Sequence, residues 1–149
     1  MVGTRIETAP AQSPGWRGGA GPLAILPRVL FRDERPWLAI LVGWLLTIAG
    51  STLIGWIVAR IAPDNSGPDF GDVSGATKLF LIALFSPVVE TLIMAGVLSL
   101  LLRFLRPWHA VIASALLWGI AHSLSSPWWG VVIWWPFLIF STLYVTWRP

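Results

Sequence analysis

The sequence predicts an all-α fold, a polytopic membrane helix bundle with about four transmembrane helices. Apolar residues make up 56% of the 149 residues and charged residues only 11%, against roughly 25% charged in soluble domains. Four apolar segments approach the length of about 20 residues that a helix needs to cross a bilayer. We therefore divide the chain into a flexible cytoplasmic leader, residues 1–36, and a transmembrane helical domain, residues 37–149.

The composition also excludes several classes of function. The chain has no cysteine, which excludes disulfides, thiolate catalysis and cysteine metal sites. The net charge of +3 comes from arginines near the predicted membrane edges. No basic run alternates with aromatic residues as in a nucleic-acid-binding surface. The expected surroundings are the lipid bilayer, and we expect no nucleic-acid partner.

The leader divides into two parts. Residues 1–22 are polar, rich in Gly and Pro and without a helical period, which predicts a disordered segment. They lack the single apolar run and cleavage site of a secretory signal peptide. Residues 23–36, LAILPRVLFRDERP, alternate apolar and basic residues. This pattern is consistent with an anchor lying along the membrane interface and equally with a plain linker.

The apolar segments predict where each of the four helices begins and ends. The first predicted helix covers residues 37–59 and has Trp at both ends, as is typical of residues at the membrane interface. The second covers residues 78–102 and the third residues 108–124. The fourth covers residues 128–147, and Pro136 inside it predicts a kink, because proline removes one helical hydrogen bond.

The distribution of basic residues predicts the orientation. Five arginines lie in the leader, and the connection between the second and third helices contains Arg103 and Arg106. The loop between the first and second helices has only Arg60 and Lys78, both close to helix ends. Cytoplasmic segments of membrane proteins carry the excess of Lys and Arg. Both termini are therefore predicted to be cytoplasmic.

Glu90 is the one formally charged residue inside the long apolar segments. A carboxylate near the centre of a bilayer costs roughly 2–4 kcal/mol on insertion scales, so it usually faces a bundle interior or a wet cavity and has a function. Pro87 lies three residues earlier and predicts a kink that makes room for water or substrate. The alternative is a protonated Glu90 that is hydrogen-bonded to a neighbouring helix.

His122 is predicted to lie at the same depth as Glu90. The second and third helices form an antiparallel hairpin around Arg106, and both residues are sixteen positions from it. With a rise of about 1.5 Å per residue, both side chains reach a similar level. Glu and His in contact can activate a water molecule or bind a metal. Alternatively, His122 is an interfacial polar residue near a helix end, as we expect for His109.

Two segments resemble the CAAX-protease and bacteriocin-processing (CPBP) family of intramembrane proteases. They are residues 86–98, SPVVETLIMAGVL, and residues 115–124, ALLWGIAHSL. The family has P-x-x-E-E-x-x-x-R-G in one helix and F-x-x-x-H at the end of the next. The residues that match these two motifs, with Trp in place of Phe, are Pro87, Glu90, Gly96, Trp118 and His122.

The resemblance implies an endopeptidase for membrane-associated peptide or protein substrates, expected in the bacterial inner membrane. Glu90 and His122 would be the catalytic residues that hold and activate the attacking water. Pro87, Thr91 and Trp118 would support them. A divalent metal such as zinc, if the site uses one, would be bound by Glu90 and His122.

The chain departs from the family pattern in three places. The second Glu of the first motif is Thr91, and the family Arg is Ala95. The third family motif, H-x-x-x-N or H-x-x-x-D, would follow Pro149, so we expect either a longer protein or a reduced relative. The alternative function is therefore a non-catalytic pseudoprotease or a small accessory or scaffold subunit with a membrane protein partner. The eleven tryptophans would supply its apolar contact area.

The predicted orientation can be tested with a peptide tag at each end of the chain. Both tags should be protected from protease added outside intact cells, because both termini are predicted to be cytoplasmic. Both should become accessible after the membrane is permeabilised. Digestion of either tag in intact cells would contradict the predicted orientation.

Overall fold

The computed structural model describes residue 16, residues 19–63 and residues 75–148. This part of the chain is all-helical and contains no strand, which confirms the predicted fold class. Every helix end lies within three residues of its predicted position. Two short 3₁₀ helices, Gly21–Ile25 and Arg28–Phe31, precede the four main helices. The main helices are α1 Pro36–Ile61, α2 Gly75–Leu101, α3 Pro107–Ser123 and α4 Pro127–Trp147.

Three of the four helices begin with proline, at Pro36, Pro107 and Pro127. The first position of a helix suits proline because its N–H would have no partner there and its φ is already helical. The residues before the second and third of these prolines, Arg106 and Ser126, are extended, as the proline ring requires. Proline thus fixes where α1, α3 and α4 start.

The fold is that of a membrane protein. Helices α1, α2 and α4 are long and apolar enough to cross a membrane. Helix α3 has 17 residues, a length of about 25 Å. Only 11% of the most apolar stretch of α1, and the same share of α2, is buried inside the protein. Their large apolar side chains therefore face outward, where only lipid would remove them from water.

Helices α3 and α4 form the most closely packed pair. Gly119 and Gly130 lie against each other, and each lacks the Cβ that would separate the two backbones. Farther along the same interface, the fully buried Ser141 hydroxyl donates to Ser114 Oγ over 3.1 Å. Small residues and interhelical hydrogen bonds are the usual basis of helix association in lipid. The α3–α4 hairpin is therefore the centre of the bundle.

The other helices pack around this hairpin. Helix α1 lies on α4, and the Trp135 indole N–H crosses Gly50 to donate to the Leu46 carbonyl over 2.8 Å. Helix α2 makes a smaller contact with α3 and α4. Helix α4 continues without interruption through Pro136.

The leader closes one end of the bundle. Leu23, Leu26 and Leu30 are buried in the same core as the helices. Thr146, near the end of α4, donates to the Leu30 carbonyl over 2.6 Å and accepts from the Trp16 indole N–H over 2.8 Å. The sequence was consistent with an interfacial anchor or a linker for residues 23–36. In the structure, three leucines of this segment also pack into the core of the bundle. Of the segment predicted to be disordered, residues 1–15, 17 and 18 lie outside the described residues.

The Gly119–Gly130 contact predicts a large effect of one methyl group. A Cβ at Gly130 would overlap the Gly119 carbonyl oxygen and Ser123 Oγ. We expect Gly130→Ala to lower the free energy of unfolding by about 1–3 kcal/mol, as overpacking does. Thermal unfolding of the protein in detergent measures the change.

Gly55→Ala is the matched control, because Gly55 lies inside α1 with no atom near its missing Cβ. There the substitution should be neutral or stabilise the helix by up to about 1 kcal/mol. Equal stability of the two variants would contradict the proposed importance of the α3–α4 contact.

Candidate functional site

Glu90 lies on the face of α2 that packs against the bundle. Met94 and Leu98 follow it at intervals of four residues, so the three side chains share one face. Met94 and Leu98 are buried, and Leu98 is 0% exposed. Glu90 is half-buried. Its carboxylate therefore continues a buried stripe instead of pointing to the outer surface.

A serine one turn away holds the Glu90 side chain. The Ser86 hydroxyl donates to Glu90 Oε1 over 2.6 Å, the short distance that is typical of a hydroxyl bound to a carboxylate. In the described part of the chain, Oε2 of Glu90 has no hydrogen-bond partner. Glu90 is therefore hydrogen-bonded within its own helix, whereas the predicted alternative had a hydrogen bond to a neighbouring helix. One carboxylate oxygen is fixed and the other can accept a proton from a bound water.

The part of α2 that ends five residues before Glu90 is not a regular α-helix. Residues Leu81–Phe85 form a π-helix, in which the Ser86 N–H donates to the Leu81 carbonyl five residues earlier. Such insertions are frequent at functional sites. Pro87, which has no N–H, comes just after it. The backbone is thus irregular within two turns of Glu90, at the position where the proline predicted a kink.

Thr91 does not share the position of Glu90. Its hydroxyl donates to the Pro87 carbonyl over 2.6 Å, and the residue is exposed. A backbone-bonded threonine on the outer side of α2 cannot act as a second acid or base. The predicted supporting role of Thr91 is therefore limited to the backbone around Pro87.

His122 ends a corresponding stripe on α3. Val111 and Ala115 of this stripe are fully buried, Trp118 is half-buried, and His122 is half-buried as well. Nδ1 of His122 lies 2.9 Å from the Trp118 carbonyl. Because a carbonyl only accepts, Nδ1 carries the proton, and in the neutral imidazole Nε2 then keeps its lone pair. In the described part of the chain Nε2 makes no hydrogen bond.

Aromatic rings surround the His122 imidazole. Its centroid lies 5.6 Å from that of Trp118, 5.8 Å from Phe137 and 6.5 Å from Trp129. Trp118 itself stacks on Phe137 of α4, with centroids 4.4 Å apart and planes inclined by 7°. This stack fixes Trp118, whose carbonyl orients His122. The predicted supporting role of Trp118 is thus consistent with its contacts.

The α2–α3 contact contains residues that are close in sequence to both Glu90 and His122. A groove of about 270 Å³ runs between the helices and is lined by Ile93, Val97, Leu117, Trp118 and Ala121. Glu90 is three residues from the first of these, and His122 is adjacent to the last. In the described residues no direct hydrogen bond or ion pair joins the two side chains. Contact through one shared water stays a prediction.

The donor set does not fit a resident zinc ion. Among the described residues no three His, Asp or Glu side chains lie close enough together to hold a metal. Glu90 and His122 supply at most two protein ligands, whereas catalytic zinc sites use three. We therefore derive no chemical step through a metal at this site.

Two features of the site were not identified from the sequence. They are the Ser86–Glu90 hydrogen bond and the π-helix before it. The first had a readable signal, because residues four apart on a helix are neighbours. The second depends on backbone geometry that has no sequence signature here.

No protein-family model, curated protein or solved structure matches this chain. The resemblance to the intramembrane protease family therefore stays a prediction from the two motifs.

Cysteine pairs can test whether Glu90 and His122 face each other, since the chain has no native cysteine. We expect Glu90→Cys combined with His122→Cys to be joined by a short bifunctional thiol reagent. Glu90→Cys combined with Ile120→Cys is the control, because Ile120 is 62% exposed and about 200° around α3 from His122. Mass spectrometry of crosslinked peptides gives the yields. Equal yields for the two pairs would show that the side chains do not converge.

Proposed function

We propose that this chain is an intramembrane endopeptidase of the CPBP type that hydrolyses peptide bonds of membrane-associated substrates. One observation carries the proposal. Glu90 and His122 are half-buried on consecutive helices, and each is held by a hydrogen bond within its own helix. Each also keeps one acceptor atom unoccupied among the described residues.

The two free acceptor atoms suit the activation of one water. Oε2 of Glu90 takes a proton from the water as general base, and Nε2 of His122 accepts the second hydrogen bond and orients it. The oxygen then attacks the peptide carbonyl, and Glu90 returns the proton to the leaving amine. Ser86 and the Trp118 carbonyl keep the base and the imidazole in position.

Access to the site is consistent with a membrane-associated substrate. The groove between α2 and α3 is lined by apolar residues, so a peptide segment can approach from the lipid without crossing a polar barrier. Helix α2 is the least closely packed of the four, and its π-helix and Pro87 lie beside Glu90. Donors for the oxyanion would come from the third motif that the family carries.

The second candidate is a non-catalytic pseudoprotease or an accessory or scaffold subunit. Thr91, which replaces the second Glu of the motif, is bonded to its own backbone, and Ala95 replaces the Arg. The wide exposed apolar surfaces of α1 and α2 would then contact a membrane protein partner.

The proposed location is the bacterial inner membrane with both termini in the cytoplasm. Arginines support this orientation, because six described arginines lie at the end of the bundle that holds the leader and the α2–α3 turn. They are Arg28, Arg32, Arg35, Arg103, Arg106 and Arg148.

Glu90→Gln separates the two candidates. Gln keeps the shape and still accepts the Ser86 hydrogen bond, but it cannot act as a base at this position. We expect the rate of substrate cleavage to fall by roughly 10²–10⁴-fold, the usual contribution of a general base. Thermal stability should stay close to that of the wild type. N-terminal peptide mass spectrometry of membranes from producing cells identifies the cleaved products.

Asp33→Asn is the control, because it removes one carboxylate from an exposed position in the leader. Its cleavage products should match those of the wild type. Wild-type cleavage by Glu90→Gln would exclude Glu90 as the base. If wild type and Glu90→Gln both lack products and bind the same membrane proteins, the scaffold function is favoured.

A further inference from the structure

A basic cavity lies at the start of α1, far along the chain from Glu90. It measures about 250 Å³, roughly the liquid volume of eight water molecules. The cavity is formed where the 3₁₀ helix Arg28–Phe31 meets the first turn of α1. Its lining residues are Arg28, Val29, Arg32, Glu34, Arg35 and Leu38.

The cavity has an excess of positive charge. Three arginines, Arg28, Arg32 and Arg35, line it together with one carboxylate, that of Glu34. Within the described part of the chain, none of the three guanidinium groups makes a hydrogen bond or ion pair with a protein group. Three unpaired guanidinium groups around one space repel each other. They also provide the planar pairs of donors that bind phosphate oxygens best.

The surroundings of the cavity indicate the membrane surface. Trp37, directly after it, is 83% exposed and Leu38 is 41% exposed. Exposed tryptophan beside the end of a spanning helix is typical of the headgroup level. The outward side of α1 continues from this point as an apolar surface. A phosphate in the cavity would thus have room for attached acyl chains along α1.

We propose that this cavity binds the phosphate group of an anionic phospholipid. Basic pockets beside spanning helices on the cytoplasmic side attract anionic headgroups, and the positive N-terminal end of α1 adds to the attraction. The bound lipid would hold the 3₁₀ helix Arg28–Phe31 against the start of α1, because Arg28 begins the former and Arg35 is the N-cap of the latter. Inorganic phosphate presents the same oxygen atoms to the arginines, so the test distinguishes free phosphate from the lipid phosphate. The proposal does not depend on the function of Glu90 and His122.

The test compares two double variants by native mass spectrometry. The protein is released from mixed micelles that contain phosphatidylglycerol and phosphatidylcholine. The wild type should retain one phosphatidylglycerol. Arg32→Gln with Arg35→Gln should weaken retention by roughly 25-fold, about fivefold for each arginine. Arg103→Gln with Arg106→Gln is the matched control, since it removes the same charge from the same end outside the cavity. It should retain the lipid like the wild type.

Inorganic phosphate at millimolar concentration provides the second arm. It should displace little phosphatidylglycerol, because acyl contacts with α1 add to the affinity of the lipid. Full displacement by phosphate would overturn the lipid as ligand. Equal losses in the two double variants would also overturn the proposal, because general attraction to a basic surface would explain them. Thermal unfolding without phosphatidylglycerol checks that all variants fold. If the Arg32→Gln, Arg35→Gln double variant does not fold, Arg35→Gln alone replaces it, with an expected loss of lipid retention of about fivefold.

Discussion

The contact between Gly119 and Gly130 is the constraint on which the rest of the structure depends. In lipid, apolar side chains gain nothing by moving from the bilayer to another helix, so association relies on close packing and hydrogen bonds. Two glycines let the α3 and α4 backbones touch, and the buried Ser141–Ser114 hydrogen bond forms in the same interface. The other elements then use α4 as their support. Helix α1 attaches to it through Trp135, and the leader through Thr146.

The same contact explains why the two proposed catalytic side chains are held differently. His122 belongs to the closely packed hairpin, where Trp118 stacks on Phe137 and the Trp118 backbone carbonyl orients the imidazole. Glu90 belongs to α2, which packs less closely and contains a π-helix. At the proposed site, a fixed imidazole on α3 and a less constrained carboxylate on α2 would let α2 adjust when a substrate enters. Regions with few buried contacts open most easily.

The charge distribution divides the molecule into two chemical zones. Between the ends, Glu90 is the one charged side chain in the described helices at membrane depth, whereas one end has six arginines. Two acidic residues, Asp33 and Glu34, accompany them at that end. This asymmetry is the basis of the orientation that we propose, and in that orientation the basic cavity would lie where anionic lipid headgroups accumulate. The two proposed sites therefore differ in charge and in depth: the Glu90 site is acidic and inside the membrane, and the cavity is basic and at the membrane surface.

The sequence by itself determined the four helices and their limits, because hydropathy and proline positions act locally along the chain. It also predicted that Glu90 and His122 share a level, since that follows from helical rise and distance from one turn, and this stays a prediction. Only the tertiary structure decided that Leu23, Leu26 and Leu30 are buried, because the short leader has no period that reveals a buried face. The same holds for the aromatic surroundings of His122 and the side of α2 that Thr91 occupies. Such pairings depend on how helix surfaces fit in three dimensions, and in a membrane, hydropathy does not distinguish a lipid-facing side from a protein-facing side.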